Sequence, residues 1–171
     1  MGDTSIAVKD DQKISSDLKP VIELIHDVRV REIKNVLSDH SYVTEYYRAE
    51  WDMFDEPPEH VVHVNLTPGT ITAWHMHKKK WDYIVVPTGM IKLVLFDPRD
   101  DSPTKGKVNV FNMSPLTPSI VGFPPGVWHG FQNLLDSEMS SFINLSSTAY
   151  TYEDPDEWRI PVDSPEIPFT F

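Results

Sequence analysis

Three observations predict an all-β fold for this chain. Fifteen prolines stand scattered against seven glycines, a distribution that suits short strands joined by turns better than long helices. Stretches such as VVHVNL, DYIVV, MIKLVLF and SSFINLS alternate or run apolar over strand lengths and are rich in β-branched residues. Between them lie Pro-Gly, Pro-Pro-Gly and charged clusters that break any longer element. At 171 residues, 40% hydrophobic and 11% aromatic, the chain has the size and apolar content of one domain with a sizeable core.

Residues 1–19 are polar, mixed in charge and without period, which predicts a flexible N-terminal arm before a single domain over 20–171. Val21 to Leu37 alternates in part and reads as strand. Ser41 to Trp51, SYVTEYYRAEW, is aromatic and β-branched enough for another strand, which FDEPPEH breaks with two prolines. VVHVNL ends at Pro68-Gly69; ITAWHMH and DYIVV flank a turn of three lysines, and MIKLVLFD follows. DPRDDSPTKGK then reads as the long loop of a hairpin between LVLFD and VNVFNM. SIVGF leads into Pro-Pro-Gly, and FQNLL and SSFINLS read as a pair about the turn at Asp136 to Glu138. From Tyr150 the chain is acidic and punctuated by proline, which predicts an extended tail packed on the domain with at most a helical turn near Asp156 to Arg159.

Composition narrows the chemistry. With no cysteine, disulfides, thiolate metal sites and cysteine nucleophiles are all excluded. A formal charge of -11 repels phosphate surfaces, which argues against nucleic acid and anionic membrane as partners. Apolar runs fall short of the roughly 20 residues a membrane span needs. The opening MGDTSIAVKDDQK lacks a signal peptide's pattern, so cytoplasmic residence is expected.

The chemistry-bearing residues gather in two stretches, GTITAWHMHKKKWDYIVVPTG at Gly69 to Gly89 and PPGVWHGFQN at Pro124 to Asn133. His75 and His77 are two apart, so on a strand both imidazoles leave one face. Asp82 and His129 are positioned to join them. Three imidazoles and a carboxylate suit proton transfer near neutral pH, or a divalent metal (Fe, Ni, Mn or Zn) held by His75, His77, Asp82 and His129.

This layout resembles the two motifs of the cupin superfamily, with Asp82 where Glu is usual. The resemblance implies a double-stranded β-helix, or jelly-roll barrel, with its site in the barrel mouth. Within the cupins the chain is similar to the nucleotide-sugar branch that contains dTDP-4-dehydrorhamnose 3,5-epimerase, through DPRDDSPTKGK, PPGVWHGFQNL and DSPEIPF. That likeness implies a dTDP-4-keto-6-deoxy sugar as substrate, proton abstraction beside a ketone, and no required cofactor. His75 falls on the family's base and His129 on its second active-site histidine. Thr72, Asp82 and Phe142 fall where the family has arginine, an enolate-stabilising lysine and a proton-returning tyrosine. WHMHKK also resembles the His-x-His-Lys element of sugar 3,4-ketoisomerases, in which His75 and His77 would share the work. A metal-dependent dioxygenase or isomerase, or an inactive sugar-binding cupin, are the alternatives.

Substrate contacts are expected from His63 on VVHVNL, Lys78 and Lys80 in the lysine turn, Trp128 beside His129, and Arg48. Each has an ordinary structural role as its competitor, a solvated turn for the lysines and packing for the tryptophan. Edge strands of an open barrel invite a second copy, so a homodimer is expected.

Overall fold

The computed structural model describes residues 8–55 and 57–171. The predicted arm therefore lies partly outside the described residues. From Val8 to Lys19 it is almost wholly exposed and is held by local contacts and one bridge between Ile14 and Pro20.

Twelve strands form among the described residues, and no helix. They are β1 (Arg29–Glu32), β2 (Asn35–Leu37), β3 (Tyr42–Thr44), β4 (His60–Leu66), β5 (Ile71–Met76), β6 (Asp82–Thr88), β7 (Ile91–Phe96), β8 (Val108–Met113), β9 (Ser119–Phe123), β10 (Trp128–Asn133), β11 (Ser140–Ser146) and β12 (Trp158–Arg159). Two five-stranded antiparallel sheets, ordered β1-β9-β6-β11-β4 and β12-β5-β10-β7-β8, face one another; β2 and β3 form a separate hairpin. This is the expected all-β jelly roll. From β4 to β7 and from β8 to β12 successive strands alternate between the two sheets, and the side chains at the mouth consequently come from stretches far apart in sequence.

The near-continuous apolar runs of β6 and β7 follow from burial on both faces. Ile84 and Val86 of β6, and Ile91, Leu93 and Leu95 of β7, point between the sheets with Val121, Phe123, Phe131 and Phe142. Tyr83 and Val85 point outward instead, where Tyr46, Tyr47, Trp51 and Phe54 cover them. On the other sheet Val94 and Phe96 meet Trp74, Trp128 and the C-terminal Ile160, Ile167, Phe169 and Phe171. Each such fully buried aliphatic or aromatic side chain contributes roughly 1.5–3 kcal/mol. The C-terminal tail is therefore part of the core.

Four local expectations are corrected. Only Tyr42–Thr44 of the 41–51 stretch is strand, because its aromatic residues fold over the outer face of β6 as a cover. Residues 21–28 form no strand, although Ile25 is buried and its N–H donates to Asn109 Oδ1 at 2.8 Å. β10 and β11 do not pair; they lie in opposite sheets. At Trp158–Arg159 there is a two-residue strand on β5 in place of a helical turn. By contrast the β7–β8 hairpin forms as read, closed by the DPRDDSPTKGK loop. Gly89 turns β6 into β7 at φ 78°, and a Cβ there would lie 2.8 Å from the Cα of Ser140, so the turn requires glycine.

Candidate active site

A cavity of about 260 Å³ opens between the sheets at one end of the barrel. β5 and β10 supply Thr72, His75, His129 and Phe131, with His77 just beyond β5; β4, β6 and β11 supply His60, Val62, Val64, Ile84, Phe142, Asn144 and Ser146. Lys80, Tyr150 and Glu157 reach its rim from loops. Its apolar part is built around Phe131 and Phe142, stacked with centroids 4.2 Å apart.

The three histidines converge as the His-x-His spacing and the position of His129 imply. Their rings lie 5.8 Å (His75 to His129) and 5.2 Å (His77 to His129) apart. Strand alternation alone would not bring Thr72 and His75 to one face. The β5–β10 register shifts between them, His129 opposing His75 while Phe131 opposes Thr72, and this irregularity brings both inward.

Each imidazole is held differently. His75 Nε2 lies 2.9 Å from Thr72 Oγ1 and 3.4 Å from Arg159 Nη1. A guanidinium only donates, which assigns the lone pair to Nε2 and the proton to Nδ1. Burial, with Arg159 acting in the same sense, pushes His75 down to about 4, so it is a neutral base at physiological pH. His77 Nδ1 donates to the Asp156 carbonyl at 2.6 Å, and its Nε2 meets Asp82 Oδ2 at 3.2 Å. Both of its nitrogens are thus engaged. His129 Nδ1 donates to the Val127 carbonyl at 3.3 Å, which leaves Nε2 as its acceptor; burial and the two neighbouring histidines hold it well below the usual imidazole range.

Asp82, 1% exposed, sits behind His77. Burial pushes its carboxyl up, opposed by His77 and by Asn144 Nδ2, which donates to Oδ1 at 2.7 Å. Lys80 is buried at the rim, with Glu157 Oε1 3.3 Å from its ammonium. Of the three lysines, it is the one that lines this cavity. Lys78 lies over the Trp158 ring, and the backbone N–H groups of Lys78 and Lys79 donate to the Asp156 carboxylate.

Donor atoms of His77, Asp82 and His129 lie within 4.8 Å of one another, whereas His75 stands outside that cluster. Of the four residues expected from sequence to hold a metal, the structure brings these three together and leaves His75 apart. As a donor set they fit a divalent cation. Both histidines donate Nδ1–H to main-chain carbonyls, as metal-bound imidazoles do, and Asn144 orients the carboxylate. A cation would take the His77 lone pair that Asp82 now faces.

Four expected substrate contacts lie away from the cavity, Lys78 over Trp158 among them. His63 is on the outward face of β4; the inward parity belongs to His60, Val62 and Val64. Trp128 is on the outer face of β10 against the C-terminal tail, because alternation sends His129 and Phe131 inward. Arg48 is spent on Glu45 and Glu50. His60 and Glu157 are not singled out by the sequence, and Arg159, a candidate there for pairing with phosphate or with surface acids, stands beside His75 instead. For His60 the signal was present, since apolar Val62 and Val64 share its parity. Arg159 and Glu157 reach the site only through the pairing of β12 with β5, which no local pattern announces.

A jelly-roll barrel with a histidine-lined mouth defines a cupin. Residues 24–171 match the family described as dTDP-4-dehydrorhamnose 3,5-epimerase, and the chain belongs to that family. It is 37% identical over 140 residues to the "Probable low-salt glycan biosynthesis epimerase Agl13" of Haloferax volcanii, covering 81% of this chain and 89% of the relative. It is 32% identical over 151 residues to the spore coat polysaccharide biosynthesis protein SpsL of Bacillus subtilis, covering 86% and 97%. Among solved structures, a dTDP sugar isomerase from Desulfovibrio desulfuricans G20 superposes with a TM-score of 0.79 at 25% identity, covering 87% of this chain and 94% of that one. A 3'-monoepimerase from Streptomyces bikiniensis, ChmJ, in complex with dTDP-quinovose, shares the fold with a TM-score of 0.74 at 20% identity, covering 85% and 75%.

Proposed function

We propose that this protein epimerises a dTDP-4-keto-6-deoxy sugar, or a close relative, by moving a proton at a carbon next to the ketone. The observation that carries this is His75, a neutral imidazole whose Nε2 lone pair lies in the lining of a cavity shared with His129 and Lys80. His75 takes the proton, and the electron pair moves onto the ketone oxygen. Lys80, held by Glu157, is the cation at the rim that would stabilise the enolate. His129 Nε2 orients the sugar beside the base.

The family's tyrosine and lysine positions hold Phe142 and Asp82 here, so the same reaction must draw on other side chains. A 3,4-ketoisomerase using His75 and His77 fits less well, because Asp156 and Asp82 occupy both nitrogens of His77. Family membership likewise supports proton transfer over a metal-dependent oxygenase. No step here requires a cofactor. A cation at His77, Asp82 and His129 would supply Lewis acidity, and no step is routed through it.

Proton NMR of dTDP-4-keto-6-deoxyglucose with the protein in deuterated water tests the proposal. Loss of the C3 or C5 proton signal with appearance of an inverted product is expected; an unchanged spectrum would sink it for this substrate.

The proposed protein is a homodimer, with the cytoplasm as the compartment the sequence favours. Val30 on edge strand β1, Val61 on edge strand β4, and Val36, Leu37, Tyr42 and Val43 on the β2–β3 hairpin are exposed apolar side chains that a second copy would cover. Sedimentation at micromolar concentration should give twice the chain mass, and a monomer there overturns this part of the reading.

A further inference from the structure

Inversion at a carbon requires the proton to leave from one face of the enolate and a proton to return on the other. A cavity with proton-carrying groups on one wall only would exchange the proton without inverting the centre. His75 and His129 both come from the sheet β12-β5-β10-β7-β8. The facing wall presents His60, Val62 and Val64 from β4, Ile84 from β6, and Phe142, Asn144 and Ser146 from β11. Among those strand residues, His60 is the one with an imidazole, the side chain most often used to give or take a proton in catalysis.

The register fixes its place. His60 pairs with Ser146, and Ser146 with Asp82, so the three stand in one row across the sheet on the face that turns inward. Asp82 at the far end of that row meets His77 Nε2 at 3.2 Å. His60 thus shares the end of the barrel where the other three histidines lie, on the wall opposite the base.

We infer that His60 is the acid that returns the proton to the opposite face of the enolate, a role that Phe142 cannot fill. This assignment rests on the epimerase reading above. In the step, His75 breaks the C–H bond and keeps that proton while the electron pair enters the enolate. The enolate carbon then takes a proton from protonated His60, the ketone re-forms, and both imidazoles reset through water at the open mouth. The net change is inversion at one carbon.

The test separates exchange from inversion. In deuterated water, His60→Gln is expected to keep washout of the substrate proton, with configuration retained, while inverted product falls by about 10²-fold or more. Tyr150 also lines the cavity and bears an exchangeable proton, so Tyr150→Phe is measured beside it and is expected to keep the wild type's ratio of inversion to exchange, whatever its effect on overall rate. Because β4 is an edge strand, thermal melts of both variants accompany the kinetics, and His60→Asn replaces His60→Gln if the latter melts early. Inversion at the wild-type rate in the His60 variant, or loss of inversion with exchange retained in Tyr150→Phe alone, overturns the assignment. So does a His60 variant that has lost exchange and inversion together. A wild-type protein that exchanges no proton at all overturns the epimerase reading instead, and this inference with it.

Discussion

Replacing His75 with alanine is expected to lower both proton exchange and product formation by roughly 10²–10⁴-fold, the usual contribution of a positioned general base. The other imidazoles cannot substitute for it. His77 has both nitrogens engaged, and the free nitrogen of His129 lies on a ring centred 5.8 Å from that of His75. The pH dependence carries a second, independent signature. Protonation disables the base, and burial with Arg159 nearby brings His75 down to about 4. The acid limb of kcat/KM therefore falls toward pH 4, well below the ~6.5 of an unperturbed imidazole. Arg159→Gln removes the adjacent cation, so the limb moves back up toward neutrality. Full activity in His75→Ala, or an acid limb near 6.5 in the wild type that Arg159→Gln leaves in place, would show that the base lies elsewhere.

Much of this site is legible in the sequence because its key residues obey strand periodicity. His75 and His77 two apart, and His129 after Pro-Pro-Gly, fall where the barrel needs them. The errors arise where a residue's face depends on where its strand begins. His63 and His60 are equally plausible on VVHVNL until the inward phase is fixed by Val62 and Val64, which pack toward Phe142 on the neighbouring strand. Trp128 differs from His129 by one position and so points to the other face, into a pocket built by residues 160–171. Arg159 and Glu157 are long-range contributions: a two-residue strand docks on β5 eighty-odd positions away and returns a cation near the base, where Thr72 offers only a hydroxyl. Aromatic residues of 46–54 read as strand from propensity, but the outer face of β6 recruits them as a cover, a tertiary demand that outweighs local preference.

The loop that most strongly marks the family acts on stability, at a distance from the cavity lining. Asp97, 0% exposed at the end of β7, accepts from Arg99 Nε at 2.8 Å, Arg99 Nη2 at 3.0 Å, Ser102 Oγ at 2.5 Å, Thr104 Oγ1 at 2.7 Å and the Arg99 N–H at 3.1 Å. Burial alone would push this carboxyl up; the hydrogen bonds of Arg99, Ser102 and Thr104 outweigh it and hold Asp97 well below the usual carboxylate range. Arg99 in turn donates to the His26 carbonyl, and so ties the loop to the segment that enters β1. Asp97→Ala strands the donors and is expected to cost about 3–5 kcal/mol, the range for breaking a buried charged pair. For a chain of this size that is a fall of roughly 6–20 °C in Tm. A depressed carboxylate gives stability that is complete above the unfolded pKa of about 3.9 and is lost as pH falls through the folded value. Wild-type stability should consequently drop below pH 4, while Asp97→Asn, already neutral, lacks that part of the slope and converges on the wild type in acid. Asp100 in the same loop is exposed and pairs only with Lys105, so Asp100→Asn should leave the melting curve nearly unmoved. Equal melting curves for Asp97→Ala and the wild type would mean that the loop's fixed residues serve something other than the fold.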